Sequence, residues 1–260
     1  PATSSYDMIK ALVEAGATMF RLNTSHGSEE IHAANIETIR KVSKETGIYI
    51  PILVDLQGPK IRVGNIPSPI EIEEGQELIL EATDKVNNPE IVPVDYEGIA
   101  NDVKAGDKIL LDDGNIGLSV TKVVNNQVYV KVLYGSLIKP RKGINLPGTT
   151  ASLSAVTERD VEFIRFAVQY DADYLALSFV REASDIELAK KHIKNFGGYI
   201  PVIAKIEKPQ AVENIEEILK IADGIMVARG DLGIEMSPEE VPIVQKYIVD
   251  KTIRERKVCI

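Results

Sequence analysis

The chain of 260 residues is 44% hydrophobic and 27% charged, enough for one large core or two smaller ones. Its net charge of −9, with no Lys/Arg run longer than a few residues, argues against a nucleic-acid surface. The single cysteine, Cys259, rules out an internal disulfide framework and a cysteine-based zinc site, and neither a membrane-length apolar run nor a signal peptide is expected.

"YDMIKALVEAGA" is amphipathic and reads as a helix ending at Gly16, and "TMFRLN" follows as a strand. Ser28 can cap a helix running to about Glu45, and "IPILVDL" then reads as a fully buried strand. Continuous apolar runs separated by helices suit a parallel sheet covered on both faces. From about Arg62 to Lys139 the helical period fades into short alternating runs, "IEIEEGQELIL", "KILLDDGNIGLSV" and "NQVYVKVLYG", punctuated by Gly, Asn and Asp. That texture predicts a small all-β module inserted into the α/β frame. From Leu146 the first texture returns. Thr157 with Asp160, and Ser184 with Glu187, read as capping boxes. "SPEE" at Ser237–Glu240 places Ser at N-cap, Pro at N1 and Glu at N3 of a further helix.

"EAGATMFRLN", "QYDADYLALSF" and "KIADGIMVARGD" each run from a helix end, through a small or acidic turn, into a strand that ends in polar residues. Repeated βα units with chemistry at the strand C-termini predict a TIM barrel. An open doubly wound sheet competes, but no GxGxxG follows a strand. In a parallel barrel the strand C-termini share one face. That face would collect Arg21, Asn23 and Ser25; Asp55; Ser178; Lys205 and Glu207; and Arg229, Gly230 and Asp231. Lys205 and Glu207 are two apart on a strand, so they point to the same side. Glu207 and Asp231 offer hard oxygen ligands suited to Mg²⁺ or Mn²⁺. A fixed lysine and arginine beside that metal suit an anionic phosphorylated substrate. Each feature alone has a plainer reading. A Lys/Glu pair is more often a simple salt bridge, and "RGDLG" is a common loop composition. His26 is balanced between ligand contact and surface, His32 and His192 read as solvent-facing on helices, and Cys259 reads as a packed thiol. The convergence at strand ends is what favours chemistry.

"FRLNTSHG", "LVDLQGPKIRVG", "LLDDGNIGL", "KGINLPG", "SFVR", "AKIEKPQAVENIEEIL" and "DGIMVARGDLGIE", in this order, closely resemble the motifs of the pyruvate kinase family. The resemblance covers essentially the whole chain. It implies a cytoplasmic, glycolytic phosphotransferase that moves a phosphoryl group from phosphoenolpyruvate to ADP, giving pyruvate and ATP, with no nucleic-acid or membrane partner. It implies a (β/α)8 barrel, the A domain, over residues 1–61 and 140–260, interrupted by a β-barrel-like B domain over residues 62–139. That B domain would act as a lid that excludes water. Residue by residue, Lys205 resembles the lysine that stabilises the transferring phosphoryl group, and Arg21 the arginine on the phosphate. Glu207 and Asp231 resemble the carboxylates on the divalent metal. Ser178 and the amides of Gly230 and Asp231 resemble substrate contacts. Asn23, Ser25, Asp55 and the Leu56 carbonyl stand where the family has its monovalent-cation site. Asn23, Ser25, His26, Arg62 and Lys142 stand at nucleotide-side positions, the last two at the hinges of the inserted module.

Two departures from the family pattern stand out. "GPKIR" has Lys60 where many members have a glutamate that goes with K⁺ dependence. An ammonium can supply the charge that K⁺ brings, so K⁺ is not expected to be required. Second, "PATSS" resembles the loop after the family's first barrel strand, and "RERKVCI" breaks off within the seventh. A fragment, incomplete at both ends, is therefore expected. It would lack the regulatory domain and a substrate-side threonine, and the full-length protein would be a homotetramer. Two alternatives remain: an inactive fragment that only binds metal and ligand, and a metal-dependent aldolase or lyase on a related barrel. The inserted module with Arg62 and Lys142 argues against the lyase, which needs no nucleotide lid.

Overall fold

Turn residues cut this chain into short apolar runs, and the runs become strands. The structure, a computed structural model, describes residues 3–83, 88, 90–149 and 152–260. Pro1 and Ala2, which open the "PATSS" stretch, lie outside the described residues. In chain order the first elements are α1 (Tyr6–Glu14), β1 (Phe20–Asn23), α2 (Glu29–Thr46) and β2 (Ile52–Asp55). Next come β3 (Ile70–Glu71), β4 (Glu77–Glu81), β5 (Ile91–Pro93), α3 (Ile99–Asp102), β6 (Lys108–Leu111), β7 (Ile116–Val124), β8 (Gln127–Tyr134), β9 (Leu137–Ile138) and β10 (Ile144–Asn145). Then follow α4 (Glu158–Gln169), β11 (Tyr174–Leu177), α5 (Ala183–Asn195), β12 (Val202–Ile206), α6 (Pro209–Glu213) and α7 (Ile215–Ile221). The last are β13 (Gly224–Val227), α8 (Arg229–Glu235), α9 (Val241–Arg254) and β14 (Val258–Cys259). No described helix is long and apolar enough to cross a membrane.

Contacts divide the chain into two compact units. One holds Pro1–Pro59, Ala155–Ala228 and Gln245–Ile260; the other holds Lys60–Ser154 and Arg229–Val244. In the first unit the strands form one sheet in the order β1-β2-β11-β12-β13-β14, every pair parallel. Parallel neighbours need a crossover, and the helices between the strands supply it. β2 and β12 are buried at every residue, as strands covered on both faces must be. Register sets which side chains share a face. Arg21 pairs with Leu53 and Asn23 with Asp55; Asp55 also pairs with Ala176, and Ala176 with Ile203. Leu53, Ala176 and Ile203 pack into a cluster with Met19, Tyr174 and Met226. By the two-residue period, Asp55, Ser178 and Lys205, and then Glu207, stand above that cluster on the same face.

Local signals start several of the helices. Thr157 and Asp160 form the expected capping box of α4. Four expectations need correction. α5 begins two residues earlier than the Ser184/Glu187 reading, because Asp185 reaches back to the N–H of Glu182 at 3.2 Å and of Arg181 at 2.8 Å. "SPEE" forms a turn, with Glu240 N–H on Ser237 O at 2.9 Å, and the helical ladder starts at the Glu240 carbonyl, which accepts from Val244. His32 is not solvent-facing: it is 5% exposed, and its ring meets Phe163 and Phe166 edge-on. His192 is half-buried. Ser28 sits at the N-cap of α2 without a side-chain cap hydrogen bond.

In the second unit the sheet order is β10-β6-β7-β8-β4-β5, antiparallel except for β4 with β5, and β3 pairs separately with β9. The inward residues of β8, Val128, Val130 and Val132, join Leu78, Leu80 and Leu118 in its core. Asn125 takes a left-handed φ of 53° in the tight turn between β7 and β8, a conformation asparagine tolerates. The stretch read as all-β also contains one short helix, α3.

Candidate active site

β12 ends with Lys205 and Ile206, and Glu207 follows directly. Lys205 is 8% exposed, and Glu207 and Asp55 are each 1% exposed. Lys205 Nζ lies 2.8 Å from Glu207 Oε1 and 3.2 Å from Asp55 Oδ1, and it donates to Ser178 Oγ at 2.6 Å. The Ser178 hydroxyl in turn donates to the Leu56 carbonyl at 2.7 Å. Arg21 Nε donates to Asp55 Oδ2 at 2.5 Å while half of its side chain stays open to solvent. Burial pulls the Lys205 ammonium towards deprotonation, but Glu207 and Asp55 outweigh it and hold its pKa above the ordinary lysine value. The lysine is therefore a fixed cation among buried anions.

The expected residues of the first unit thus form one connected cluster: Arg21, Asp55, Leu56, Ser178, Lys205 and Glu207. Asn23 and Ser25 adjoin it on the turn after β1, where Asn23 Oδ1 accepts the Ser25 N–H at 3.1 Å. His26 is exposed on the same turn, and its carbonyl lies 2.8 Å from His32 Nε2. Arg21, Asn23, His26, His32, Ile9 and Ile39 line a cavity of about 510 Å³. The remaining expected residues belong to the second unit. Arg229, Gly230 and Asp231 form the first turn of α8, and Arg229 and Gly230 with Gly233, Pro238, Val241 and Pro242 line a cavity of about 610 Å³. Glu235, one helical turn beyond Asp231, accepts from Asn145 Nδ2 at 2.8 Å, and both side chains are buried. Lys142 Nζ lies 2.7 Å from Asp112, whose hydrogen bond raises the lysine pKa. Arg62 donates to the Arg141 carbonyl at 3.1 Å. Lys60 Nζ is 3.7 Å from Asp113, and its stem crosses Gly143 so closely that a Cβ there would meet Lys60 Cε at 2.6 Å.

Residues not singled out in the sequence complete the cluster. Thr24 Oγ1 donates to the Asp55 carbonyl at 2.9 Å. The Phe179 N–H donates to Glu207 Oε2 at 2.9 Å, from a left-handed φ of 55° that is rare for a bulky residue. Among the described residues no group of three or more His, Cys, Asp and Glu side chains gathers as a metal nest. The donors at hand are hard carboxylate oxygens with a lysine alongside. That chemistry fits a magnesium-type ion, which takes one or two carboxylates and completes its shell from substrate and water.

The family model of the pyruvate kinase barrel domain matches residues 1–260. The chain belongs to the pyruvate kinase family. It is 44% identical over 252 residues to a pyruvate kinase of Staphylococcus aureus (strain MRSA252), covering 96% of this chain and 43% of that protein. It is 44% identical over 250 residues to a pyruvate kinase of Thermotoga maritima, covering 96% of this chain and 54% of that protein. The chain spans about half the length of the curated relatives it matches. For a member of the pyruvate kinase family, the six parallel strands are part of a TIM-type barrel, as the βα repeats predicted.

Proposed function

We propose that this chain carries the phosphoryl-transfer site of a pyruvate kinase, moving a phosphoryl group from phosphoenolpyruvate to ADP in the cytoplasm to give pyruvate and ATP. The observation that supports this best is the buried Lys205–Glu207–Asp55 cluster at the strand C-termini. Phosphoryl transfer asks for positioning and fixed charge more than for covalent chemistry. Lys205 supplies a permanent cation for the moving phosphoryl group, and Arg21, partly open to solvent, binds its oxygens. Glu207 and Asp231 would hold Mg²⁺ or Mn²⁺. When bound, that ion neutralises phosphate charge and polarises substrate oxygen. Ser178 fixes the lysine, and the Gly230 and Asp231 amides bind the substrate carboxylate. His26, Arg62 and Lys142, with Asn23 and Ser25, serve the nucleotide. Residues 62–139 are assigned as the inserted lid domain within a barrel of residues 1–61 and 140–260. The full-length protein is assigned as a homotetramer.

Mn²⁺ binding tests this reading. Binding should tighten when oxalate, a mimic of the enolate, is added, and Glu207→Gln should abolish the effect. A folded wild-type chain that ignores Mn²⁺ at millimolar concentration would overturn it. Lys60 carries a finer proposal. Its ammonium supplies the charge that K⁺ provides in relatives with a glutamate there, so turnover should be flat against KCl in a tetramethylammonium background. A steep KCl requirement would refute that.

A further inference from the structure

Asp160 does more than start a helix. It is 0% exposed, and its carboxylate meets three donors. Oδ2 accepts the Thr157 N–H at 3.0 Å and the Thr157 hydroxyl at 2.7 Å, while Oδ1 accepts the Gly58 N–H at 3.1 Å. The helix cap needs only Oδ2. The bond to Gly58 reaches into the loop after β2, where Gly58 has φ +70°. There the backbone lies so near its neighbour that a Cβ would sit 2.9 Å from both Ser178 Cβ and Phe179 Cδ2. These two neighbours hold the site: Ser178 Oγ accepts from Lys205, and the Phe179 N–H holds Glu207.

We propose that Asp160 is a positioning residue for the Lys205–Glu207 site, acting through Gly58. Its carboxylate pins the loop after β2 against Ser178–Phe179, and that pressure fixes the hydroxyl and the amide which aim Lys205 and Glu207. The link is packing and hydrogen bonding, with no proton or charge transferred. It deepens the function proposed above and rests on Lys205 and Glu207 being that site. Supports of this kind, one shell behind a ligand, typically change metal affinity by about 10–100-fold when removed.

The experiment compares wild type with Asp160→Asn, Thr157→Ala and Gly58→Ala, using Mn²⁺ affinity with oxalate, melting temperature, and hydrogen exchange at the Phe179 amide. Thr157→Ala strips the cap hydroxyl and leaves the Gly58 bond, so it should melt lower yet bind Mn²⁺ like wild type. Asp160→Asn should weaken Mn²⁺ binding about tenfold or more and speed Phe179 exchange. Gly58→Ala disturbs the same junction with the cap intact and should reproduce both effects, so it decides the matter if Asp160→Asn does not fold. Wild-type Phe179 protection in Gly58→Ala, or in a folded Asp160→Asn, reduces Asp160 to a cap and ends the proposal. Should the wild-type chain bind no Mn²⁺, the proposed function fails, and the Phe179 exchange rates still decide the positioning role.

Discussion

At Lys205, burial and charge oppose each other, and two carboxylates decide the outcome. Replacing the lysine with methionine would leave Glu207 buried without its cation and Asp55 with Arg21 alone. Lys205→Met should therefore lose about 3–5 kcal/mol of stability, read from urea unfolding; an unchanged midpoint would mean that the carboxylates are solvated. The pH dependence has a definite sign. The folded-state pKa is raised, so the contribution is complete below the unfolded lysine value of about 10.4 and is lost as pH rises through the folded value. Wild-type stability should decline in that alkaline window, and the methionine variant should lack that part of the decline. The sequence made the Lys205/Glu207 pairing legible, because strand alternation is local. It did not reveal that Asp55 touches both Lys205 and Arg21. That contact depends on the order and register of separate strands, which no spacing within one motif encodes.

The same contrast holds for whole elements. The Thr157/Asp160 box is legible because both partners lie within one turn. Ser184 and "SPEE" mislead because equally local rivals win: Asp185 reaching back to Glu182, and the Glu240 carbonyl opening the ladder of α9. His32 had a usable signal. It lies four residues before Ile36 and seven before Ile39, on the buried stripe of α2, and its polarity masked its place in that period. Gly224 in β13 shows a constraint that only packing reveals. A Cβ there would lie 2.6 Å from Ile203 Cδ1 and 2.8 Å from the Val258 carbonyl. Gly224→Ala should cost about 1–3 kcal/mol in chemical denaturation, because the strands either side cannot part without breaking their ladders. Wild-type stability in that variant would show that β14 yields freely.

For the molecule as a whole, the parallel α/β architecture was readable from the repeated helix–turn–strand units, since each strand ends in polar residues where its neighbours do. Strand order followed with it, since a TIM-type barrel pairs its strands in chain order and the sheet runs β1-β2-β11-β12-β13-β14; the register did not, because it is a property of pairing. Among the described residues the six-stranded sheet has β1 at one edge and β14 at the other. Unpaired strand edges offer N–H and C=O groups to any matching chain. This polypeptide on its own should therefore associate as its concentration rises, measured by static light scattering. A constant monomer mass across the accessible range would count against that expectation.

At Lys205 one ammonium proton goes to Ser178 Oγ, and the charge itself faces two carboxylate oxygens, Glu207 Oε1 at 2.8 Å and Asp55 Oδ1 at 3.2 Å. Asp55 Oδ1, though buried beside it, accepts no hydrogen bond. A ligand oxygen that reaches Nζ can therefore displace the 3.2 Å contact to Asp55 without breaking a hydrogen bond. Asp55 would not be stranded, because Arg21 already holds its other oxygen. Loading this site is thus a partner exchange among charges that are already balanced.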